Sequence, residues 1–372
     1  MSEFKSSNFR NEDGSGGPDI VGLTTFTSPY YFVPPSGTTA ERPSDPAPGM
    51  LRFNEDIGRL EVWRNDHWAT ILGEQSAPVG ARAVFIGGLV SPTTRINTID
   101  YVTITSTGNA LDFGDILETN GTMDAAASGS TTRGVFAGGR NSTANINTIE
   151  FFEFATVGNA IDFGDLATIR FELGSCSDST RALFAGGRNP TVQSSIEKIT
   201  ISSTGSTASF GSLSGTRRGI SGLASPTRGC FGGGYGPFND TIDYVTIQSD
   251  GTAQDFGNLT NPRGFVSGCV SSPTRGLFGG GYEPSTVVST IDYITLSTTG
   301  DAQEFGDLSI ASSTGGGASS PIRGMFAGGT ATGDTEKIEF VTIATTGNAQ
   351  DFGDLTVART RVTGSSNAHG GL

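Results

Sequence analysis

The stretch that decides the fold is TRGLFGGGY, residues 274–282, because close copies of it recur along the chain. TRGCFGGGY occupies residues 227–235, and TRGVFAGGR occupies residues 132–140. Each copy is anchored by a phenylalanine, with an arginine three residues before it and a glycine pair after it. The anchors are Phe85, Phe136, Phe184, Phe231, Phe278 and Phe326, at intervals of 47 to 51 residues. A fixed period of this length predicts a repeat architecture.

Each repeat contains four short segments, which we label strands a to d. In the fifth repeat they are GFVSGCV, RGLFGGG, STIDYITLS and AQEFGDL. Strand c alternates apolar and polar residues and is rich in β-branched and aromatic side chains, which indicates β structure. Four strands at this period are typical of one propeller blade, and six repeats predict an all-β protein with six blades.

The two ends of the repeat region predict how the ring closes. The first repeat is preceded by EQSAPVGARA (74–83), which is a poor strand a, whereas RVTGSSN (361–367) follows the last strand d and resembles one. We therefore expect the C-terminal strand to complete blade one, which hides the strand edges.

The pattern resembles the kelch repeat family over roughly residues 75–372. The likeness lies in the glycine pair after strand b, in the aromatic residues of strands c and d, and in the arginine after strand d. That exit arginine is present as Arg170, Arg217, Arg263 and Arg359, but Asn120 and Ser312 replace it in two repeats. The third repeat departs at strand c, where Lys198 replaces the aromatic residue, and phenylalanine stands where kelch repeats usually carry tryptophan. The resemblance implies a six-bladed kelch-like β-propeller and little about function.

Composition narrows the classes of partner. The formal net charge of −14 disfavours nucleic acid and anionic membrane surfaces. The sequence has no run of 18 apolar residues, so no transmembrane helix is expected. The first residues have no apolar segment of the kind found in secretory signals, so none is expected. Cys176, Cys230 and Cys269 are expected to be small buried thiols, because their number is odd and no metal-type spacing occurs.

The sequence predicts no enzyme, no cofactor and no metal. His67 and His369 are the only histidines and lie far apart, and the common hydrolase, protease and calcium-loop motifs are absent. Calcium bound by loop residues such as Asp240 and Asp334 stays open as an alternative.

Each repeat also offers a pair of opposite charges, an arginine before strand b and an acid in strand c. The acids are Asp100, Glu150, Glu197, Asp243, Asp292 and Glu339. Structural ion pairs or caps between blades are the simpler expectation, and a ring of charge lining a channel is the alternative. The repeated phenylalanines of strands b and d are expected to be core residues.

The loops of the repeats differ between the two faces of the predicted ring. The a–b and c–d turns barely change, whereas the b–c loops vary widely, so the face formed by b–c and d–a loops is individualised. Binding sites usually lie on loops held by a rigid scaffold. Candidate ligand-binding residues are Arg140, Arg188, Tyr235, Phe238 and Tyr282, although neutral loop drift would also produce such variation.

The first 75 residues differ from the repeats. Residues 1–36 are expected to form an extended arm with the aromatic patch Tyr30, Tyr31 and Phe32, and residues 37–74 a small β module. Its three predicted strands are MLRFN (50–54), RLEVW (59–63) and HWATI (67–71). Residues 75–372 would then be the propeller.

The small module resembles one found in tail fibres and other adhesion proteins of tailed bacteriophages. The likeness lies in TTAERP (38–43), PGMLRFN (48–54), LEVW (60–63) and Trp68. It implies that the N-terminal 75 residues attach to other virion proteins, often as a homotrimer. The expected anchoring residues are Tyr30, Tyr31, Phe32, Arg42, Pro43, Trp63 and Trp68. A β-hairpin linker without a special role is the simpler alternative.

These features together predict a phage virion structural protein of tail-fibre or adhesin type. It would be made in the host cytoplasm, lie on the particle surface, and bind a host surface glycan or protein through the variable loop face. Two alternatives remain, a decoration protein of the capsid or tail with a purely structural role, and a carbohydrate-active propeller enzyme.

Overall fold

The structure is a computed structural model that describes residues 34–56, 59–64, 67–70, 81–117, 121, 123–330 and 332–372. Two compact units divide the chain, Met1–Ser76 and Ala77–Leu372. The predicted aromatic patch at Tyr30, Tyr31 and Phe32 lies outside the described residues. No helix of the described part is long and apolar enough to span a membrane.

The first unit contains a four-stranded sheet, and its strands are Ser36–Gly37, Leu51–Asn54, Arg59–Arg64 and His67–Thr70. A single 3-10 turn, Thr39–Glu41, lies between the first two. The prediction of three strands was therefore incomplete, because Ser36–Gly37 adds a parallel strand beside Leu51–Asn54. Two residues are too short to show an alternating pattern, so the sequence could not reveal this strand.

A buried carboxylate holds this small sheet together. Glu61 is 1% exposed, and its oxygens accept hydrogen bonds from Arg42 at 2.5 Å and 3.1 Å and from Arg52 at 2.9 Å. The Asn54 amide donates to the same carboxylate. Hydrogen bonds from Arg42 are the main reason that the pKa of Glu61 lies below its usual range.

The second unit is built from six four-stranded antiparallel sheets, one for each repeat. Their strands, in the order a to d, are Thr363–Ser366, Arg82–Ile86, Thr98–Thr103 and Leu111–Asp115 in sheet 1; Ala126–Gly129, Arg133–Ala137, Thr148–Glu153 and Ile161–Asp165 in sheet 2; Gly174–Ser177, Arg181–Ala185, Ser195–Thr200 and Ala208–Ser212 in sheet 3; Ser221–Ala224, Arg228–Gly232, Thr241–Thr246 and Gln254–Asn258 in sheet 4; Gly268–Ser271, Arg275–Tyr282, Val287–Thr295 and Gln303–Asp307 in sheet 5; and Gly316–Ser319, Arg323–Ala327, Lys337–Thr342 and Gln350–Asp354 in sheet 6. Leu89–Val90 and Thr94–Arg95 form a small hairpin in the first b–c loop.

The C-terminal strand completes sheet 1, as predicted. Thr363–Ser366 pairs antiparallel with Arg82–Ile86, with Gly364 opposite Phe85. The six a strands contact one another in cyclic order, the strand of sheet 6 touching that of sheet 1. The second unit is thus an all-β arrangement consistent with a β-propeller-like architecture.

The repeated phenylalanines occupy the core between sheets. All six anchors of strand b are at most 3% exposed, and so are the six phenylalanines of strand d. A β-bulge in the c–d pairing explains the placement of the latter, because Ile149 faces Gly164 while Glu150 faces Asp162, which leaves Phe163 as the extra, inward residue. The prediction that these residues form the core is confirmed.

Serine side chains make hydrogen bonds to backbone groups at the inner edges of three a strands. Ser319 Oγ donates to the Ser271 carbonyl at 2.9 Å, and the Ser271 amide donates to Ser319 Oγ at 3.2 Å. Ser366 makes the same two bonds with Ser319. In these sheets the free edge of one a strand is therefore bound by the side chain of the next, as it also is where Ser177 Oγ donates to the Gly129 carbonyl at 2.7 Å.

Two sets of charged residues join neighbouring sheets, and they differ from the predicted pairing. The acid of strand c lies against the exit arginine of the preceding sheet, with distances of 2.9 Å for Arg170–Glu197, 2.5 Å for Arg217–Asp243, 3.1 Å for Arg263–Asp292 and 3.2 Å for Arg359–Asp100. The same acids accept a backbone N–H that follows strand d of the preceding sheet, as Asp292 does from Thr260. These pairs are buried, and burial lowers the pKa of Arg170, Arg217 and Arg359.

The arginine predicted to precede strand b is its first residue, and it has a different partner. Arg275 stacks over the Tyr293 ring at 4.5 Å and donates to the Ile343 carbonyl of the next sheet at 3.0 Å. The same contact recurs around the unit and ends with Arg323, which donates to Ile104 of sheet 1. Sheet 3 lacks the aromatic partner, and there Arg181 and Lys198 both bind Asp250. The residues that line the two cavities between the a strands include neither the arginines of strand b nor the acids of strand c, so the alternative of a charged ring along the axis is not met.

Candidate functional site

The face formed by the b–c and d–a loops is built on a repeated backbone. The residue after each glycine pair forms an antiparallel bridge with a residue of a d–a loop, as Arg140 does with Met123 and Tyr235 with Arg218. The glycine pair makes this possible, because Gly138 has a φ of 64° and an added Cβ would lie 2.5 Å from the Arg170 carbonyl oxygen. The bridging residues after the glycine pairs are Leu89, Arg140, Arg188, Tyr235, Tyr282 and Thr330.

A second set of equivalent residues lies one position further along each d–a loop, where the backbone is left-handed. These residues are Asp124, Glu172, Gly219, Phe265, Thr314 and Arg361, with φ between 52° and 60°. From Asp124 to Thr314, successive members are joined by backbone bonds, such as Glu172 N–H to Asp124 O at 3.0 Å and Phe265 N–H to Gly219 O at 2.8 Å. All six line a cavity of about 120 Å³ between the a strands. We call this set the inner rim, and we use the word rim for the inner rim together with the bridging residues of both loops and Phe238.

Non-glycine residues in left-handed conformation are uncommon and are often found at functional positions. Five of the six inner-rim residues have a side chain, and each is different. The backbone conformation at this position is thus nearly the same in all six repeats, while the residue type differs from repeat to repeat.

One part of the rim carries four arginines on two carboxylates. Asp124 accepts from Arg140 at 2.8 Å and from Arg361 at 2.7 Å, one on each carboxylate oxygen. Glu172 binds Arg218 and lies 3.4 Å from Arg188. Burial by itself would lower the pKa of Arg361, but the carboxylates of Asp124 and Glu172 together outweigh it and the pKa is raised.

The arginines are also stacked on rings. The guanidinium carbons of Arg140 and Arg188 lie 4.4 Å and 4.8 Å from the centroid of Phe171, and that of Arg218 lies 4.4 Å from the Tyr235 ring. Stacking and ion pairing together fix the planes of these side chains.

The adjacent part of the rim is aromatic. Phe238 lies 4.8 Å from Tyr235 and 5.6 Å from Tyr282, and Tyr235 lies 5.8 Å from Phe265, all between ring centroids. Tyr282 is 38% exposed. All five predicted ligand-binding residues therefore lie on this face, in two neighbouring groups.

Sequence reasoning missed the d–a half of the site, namely Asp124, Phe171, Glu172, Arg218, Phe265 and Arg361. A signal was available, because the one or two residues after the exit arginine vary as strongly as the b–c loops do. Asp334, a candidate for calcium, accepts hydrogen bonds from the Ser91 amide at 2.6 Å and hydroxyl at 2.9 Å, so it joins two loops. Within the described ranges no three acidic, histidine or cysteine side chains cluster as a metal site.

The opposite end of the axis is occupied by the last residues of the chain. His369 Nε2 lies 2.9 Å from the Gly129 carbonyl oxygen and 3.2 Å from Ser177 Oγ. The Gly371 amide donates to His369 Nδ1 at 3.1 Å, so the ring is neutral with its proton on Nε2. Burial lowers the pKa of His369, which favours this neutral form.

The predicted anchoring residues of the first unit have distinct positions. Trp63 and Trp68 face each other across two strands, with ring centroids 5.6 Å apart, and both are half-buried. Pro43 is exposed. Arg42 is a partner of the buried Glu61 and so has a structural task.

No protein-family model matches the sequence, and no curated protein is significantly similar to it.

Proposed function

We propose that the chain is a structural protein of a tailed-phage particle that binds a host surface through the loop face of a six-bladed kelch-like β-propeller. The observation that carries the proposal is the inner rim, where six equivalent backbone positions hold six different residues. Such variation on a constant frame is what a binding face requires, since the frame fixes geometry and the loops supply specificity.

The six-bladed propeller is supported by the six sheets, the cyclic contacts of their a strands, and the C-terminal strand in sheet 1. Attachment to the particle is supported by the resemblance of residues 38–68 to a virion module. In this proposal the first unit binds other virion proteins, Trp63, Trp68 and Pro43 are its contact residues, and the chain assembles as a trimer. The rim carboxylates Asp124 and Glu172 are in ion pairs, which suits ligand binding better than proton transfer.

Immunogold electron microscopy of the intact particle tests this function, with an antibody against the full-length chain. Label at the tail tips or fibres is expected, and purified full-length chain should then compete with the particle for adsorption to host cells. Label spread over the head or tail shaft, with no competition, would support a decoration protein instead. Absence of label would contradict the virion assignment.

Deletion of residues 1–75 tests the attachment step separately. Particles made with the shortened chain should lack the protein, whereas a Lys198→Gln chain of full length should be incorporated normally. Normal incorporation of the shortened chain would show that attachment does not use the first unit.

A further inference from the structure

The rim is locally positive on a strongly acidic chain. Four arginines share the carboxylates of Asp124 and Glu172, so these six side chains carry a net charge of +2, whereas the whole chain carries −14. Three of the four arginines are partly exposed, with side-chain exposures of 26% for Arg140, 35% for Arg188 and 30% for Arg361, while Arg218 is 15% exposed. A positive site of this kind attracts an anionic group at short range.

The size of the anion is limited by the rest of the molecule. A polyanion such as nucleic acid would bring many charges against a surface of the same sign, which costs free energy at each one. A ligand with a single negative charge is attracted by the arginines and is repelled only weakly by the rest of the surface. A small carboxylate fits best, because its two oxygens match the planar fork of an arginine.

The aromatic group can bind the uncharged part of such a ligand. Tyr235, Phe238, Phe265 and Tyr282 lie beside the arginines, and Arg218 touches both groups through its contacts with Tyr235 and Glu172. The C–H face of a pyranose ring buries apolar surface on such rings, while the phenol hydroxyls of the tyrosines can bond to sugar hydroxyls.

We propose that the rim binds an acidic sugar, with its carboxylate on the arginine group and its ring on the aromatic group. This inference rests on the proposed host-binding function and names the class of ligand. Arg188 and Arg140 hold the carboxylate, and Tyr282 and Phe238 hold the ring. Arg218, between the two groups, fixes the distance between them.

Biolayer interferometry with the full-length protein tests this. The probes are glucuronic, galacturonic and N-acetylneuraminic acid, with glucose, galactose and glucose 6-phosphate as comparisons, each displayed on a polyacrylamide carrier. At least one acid should bind ten-fold or more tightly than the neutral sugars. Binding of none of the three acids would overturn the inference, and so would equal binding of neutral sugar or tighter binding of glucose 6-phosphate.

Two variants locate the site. Arg188→Gln should weaken binding of the acid at least ten-fold without unfolding the protein, because Glu172 keeps Arg218 as its partner. Tyr282→Ser should weaken binding of acidic and neutral rings alike. Lys198→Gln removes one positive charge away from the rim and should bind as the wild type does. Unchanged binding by both rim variants, with melting temperatures unchanged, would overturn the assignment.

The two proposals fail in different ways. If the purified protein blocks adsorption but binds none of the acids, the class of ligand is wrong and the host-binding function stands. If it binds an acid through Arg188 but is absent from particles, the ligand class stands and the virion function is wrong.

Discussion

Arg359 Nη2 lies 3.2 Å from Asp100 Oδ2, and neither side chain is exposed to solvent. The pair joins the last repeat to the first, and the Thr356 hydroxyl and amide bind the same carboxylate. An equivalent arginine is missing after strand d of sheet 5, where Ser312 donates to the Gly328 carbonyl at 3.3 Å.

Arg359→Met should destabilise the protein strongly, because it leaves Asp100 buried without its cation. The expected loss is about 3–5 kcal/mol in the free energy of unfolding, measured by urea denaturation. Ser312→Ala is the matched control at the equivalent position and should cost about 1 kcal/mol. Equal small losses in both variants would show that the Arg359–Asp100 pair does not hold the ends of the repeat region together.

The glycine after the phenylalanine of strand d should not tolerate a side chain. Gly257 has a φ of 144°, and an added Cβ would lie 2.4 Å from the carbonyl oxygen of Gly300 in the next sheet. Gly257→Ala should therefore cost about 2 kcal/mol or more, since sheet-to-sheet approach and backbone are both strained. In the control Gly215→Ala, the added Cβ has no atom within 4 Å. This variant should have a melting temperature equal to or slightly above that of the wild type in thermal denaturation. A similar melting temperature for both variants would contradict the close approach.

The first unit should unfold when its buried carboxylate is neutralised. Glu61→Gln leaves Arg52, which is 6% exposed, without its anion. The expected loss is about 3–5 kcal/mol in the free energy of unfolding, which is more than a small sheet is expected to tolerate. The only two tryptophans of the chain, Trp63 and Trp68, lie in this unit, so tryptophan fluorescence reports on it alone. A red shift without loss of the far-ultraviolet signal of the sheets is expected. Asp45→Asn, at an exposed position of the same unit, is the control.

The same unit should be sensitive to acid. The pKa of Glu61 is lower in the folded state than in the unfolded one, so its stabilising contribution is complete above pH 4.5 and is lost as the pH falls through the folded pKa. A fluorescence titration from pH 6 to pH 2 should show this loss, and an unchanged signal to pH 2 would contradict it.

His369 should make the second unit less stable in mild acid. Its pKa is lowered in the folded state, so below about pH 6.5 the unfolded chain takes up a proton that the folded chain excludes. Stability should fall between pH 7.5 and 5.5, by up to about 1.4 kcal/mol per pH unit. His369→Gln should abolish this slope in the melting temperature. An identical slope in the variant would assign the effect to other groups.

The three cysteines should be unreactive in the native protein. Burial raises the pKa of Cys230 to about 12 and raises those of Cys176 and Cys269 as well, although Cys269 is half-buried and not fully buried as the sequence predicted. Ellman's reagent at pH 8 should label none of them quickly and all three after unfolding in urea. Rapid labelling of the native protein would show that the a and b strands open.

The all-β fold was largely predictable because the repeat of about 48 residues is visible in the sequence. Phe85 and its equivalents, the glycine pairs, and the strand-like RVTGSSN at the C-terminus each mark a repeated position, and the pairing of Thr363–Ser366 with Arg82–Ile86 confirms what they indicate. Contacts between repeats were not predictable in the same way. The acid Asp292 is bound by Arg263 of the preceding sheet and not by Arg275 of its own, because this choice depends on how two sheets pack.

The candidate site was predictable in part for the same reason. Arg140, Arg188, Tyr235 and Tyr282 follow glycine pairs at a repeated position, so their variation is visible in an aligned set of repeats. That Arg140 and Arg361 meet on Asp124 is not visible, since Arg361 belongs to the last repeat and reaches Asp124 only after the ends of the unit come together.

The pairing of Thr363–Ser366 with Arg82–Ile86 also sets the order in which the chain can finish folding during synthesis. The first sheet keeps an open inner edge until Thr363–Ser366 has left the ribosome, while the five other sheets can form from neighbouring residues as they emerge. A chain released early keeps that edge exposed, and exposed edges invite aggregation and degradation. Closure by Thr363–Ser366 therefore makes an intact repeat region the condition for covering the edge of Arg82–Ile86.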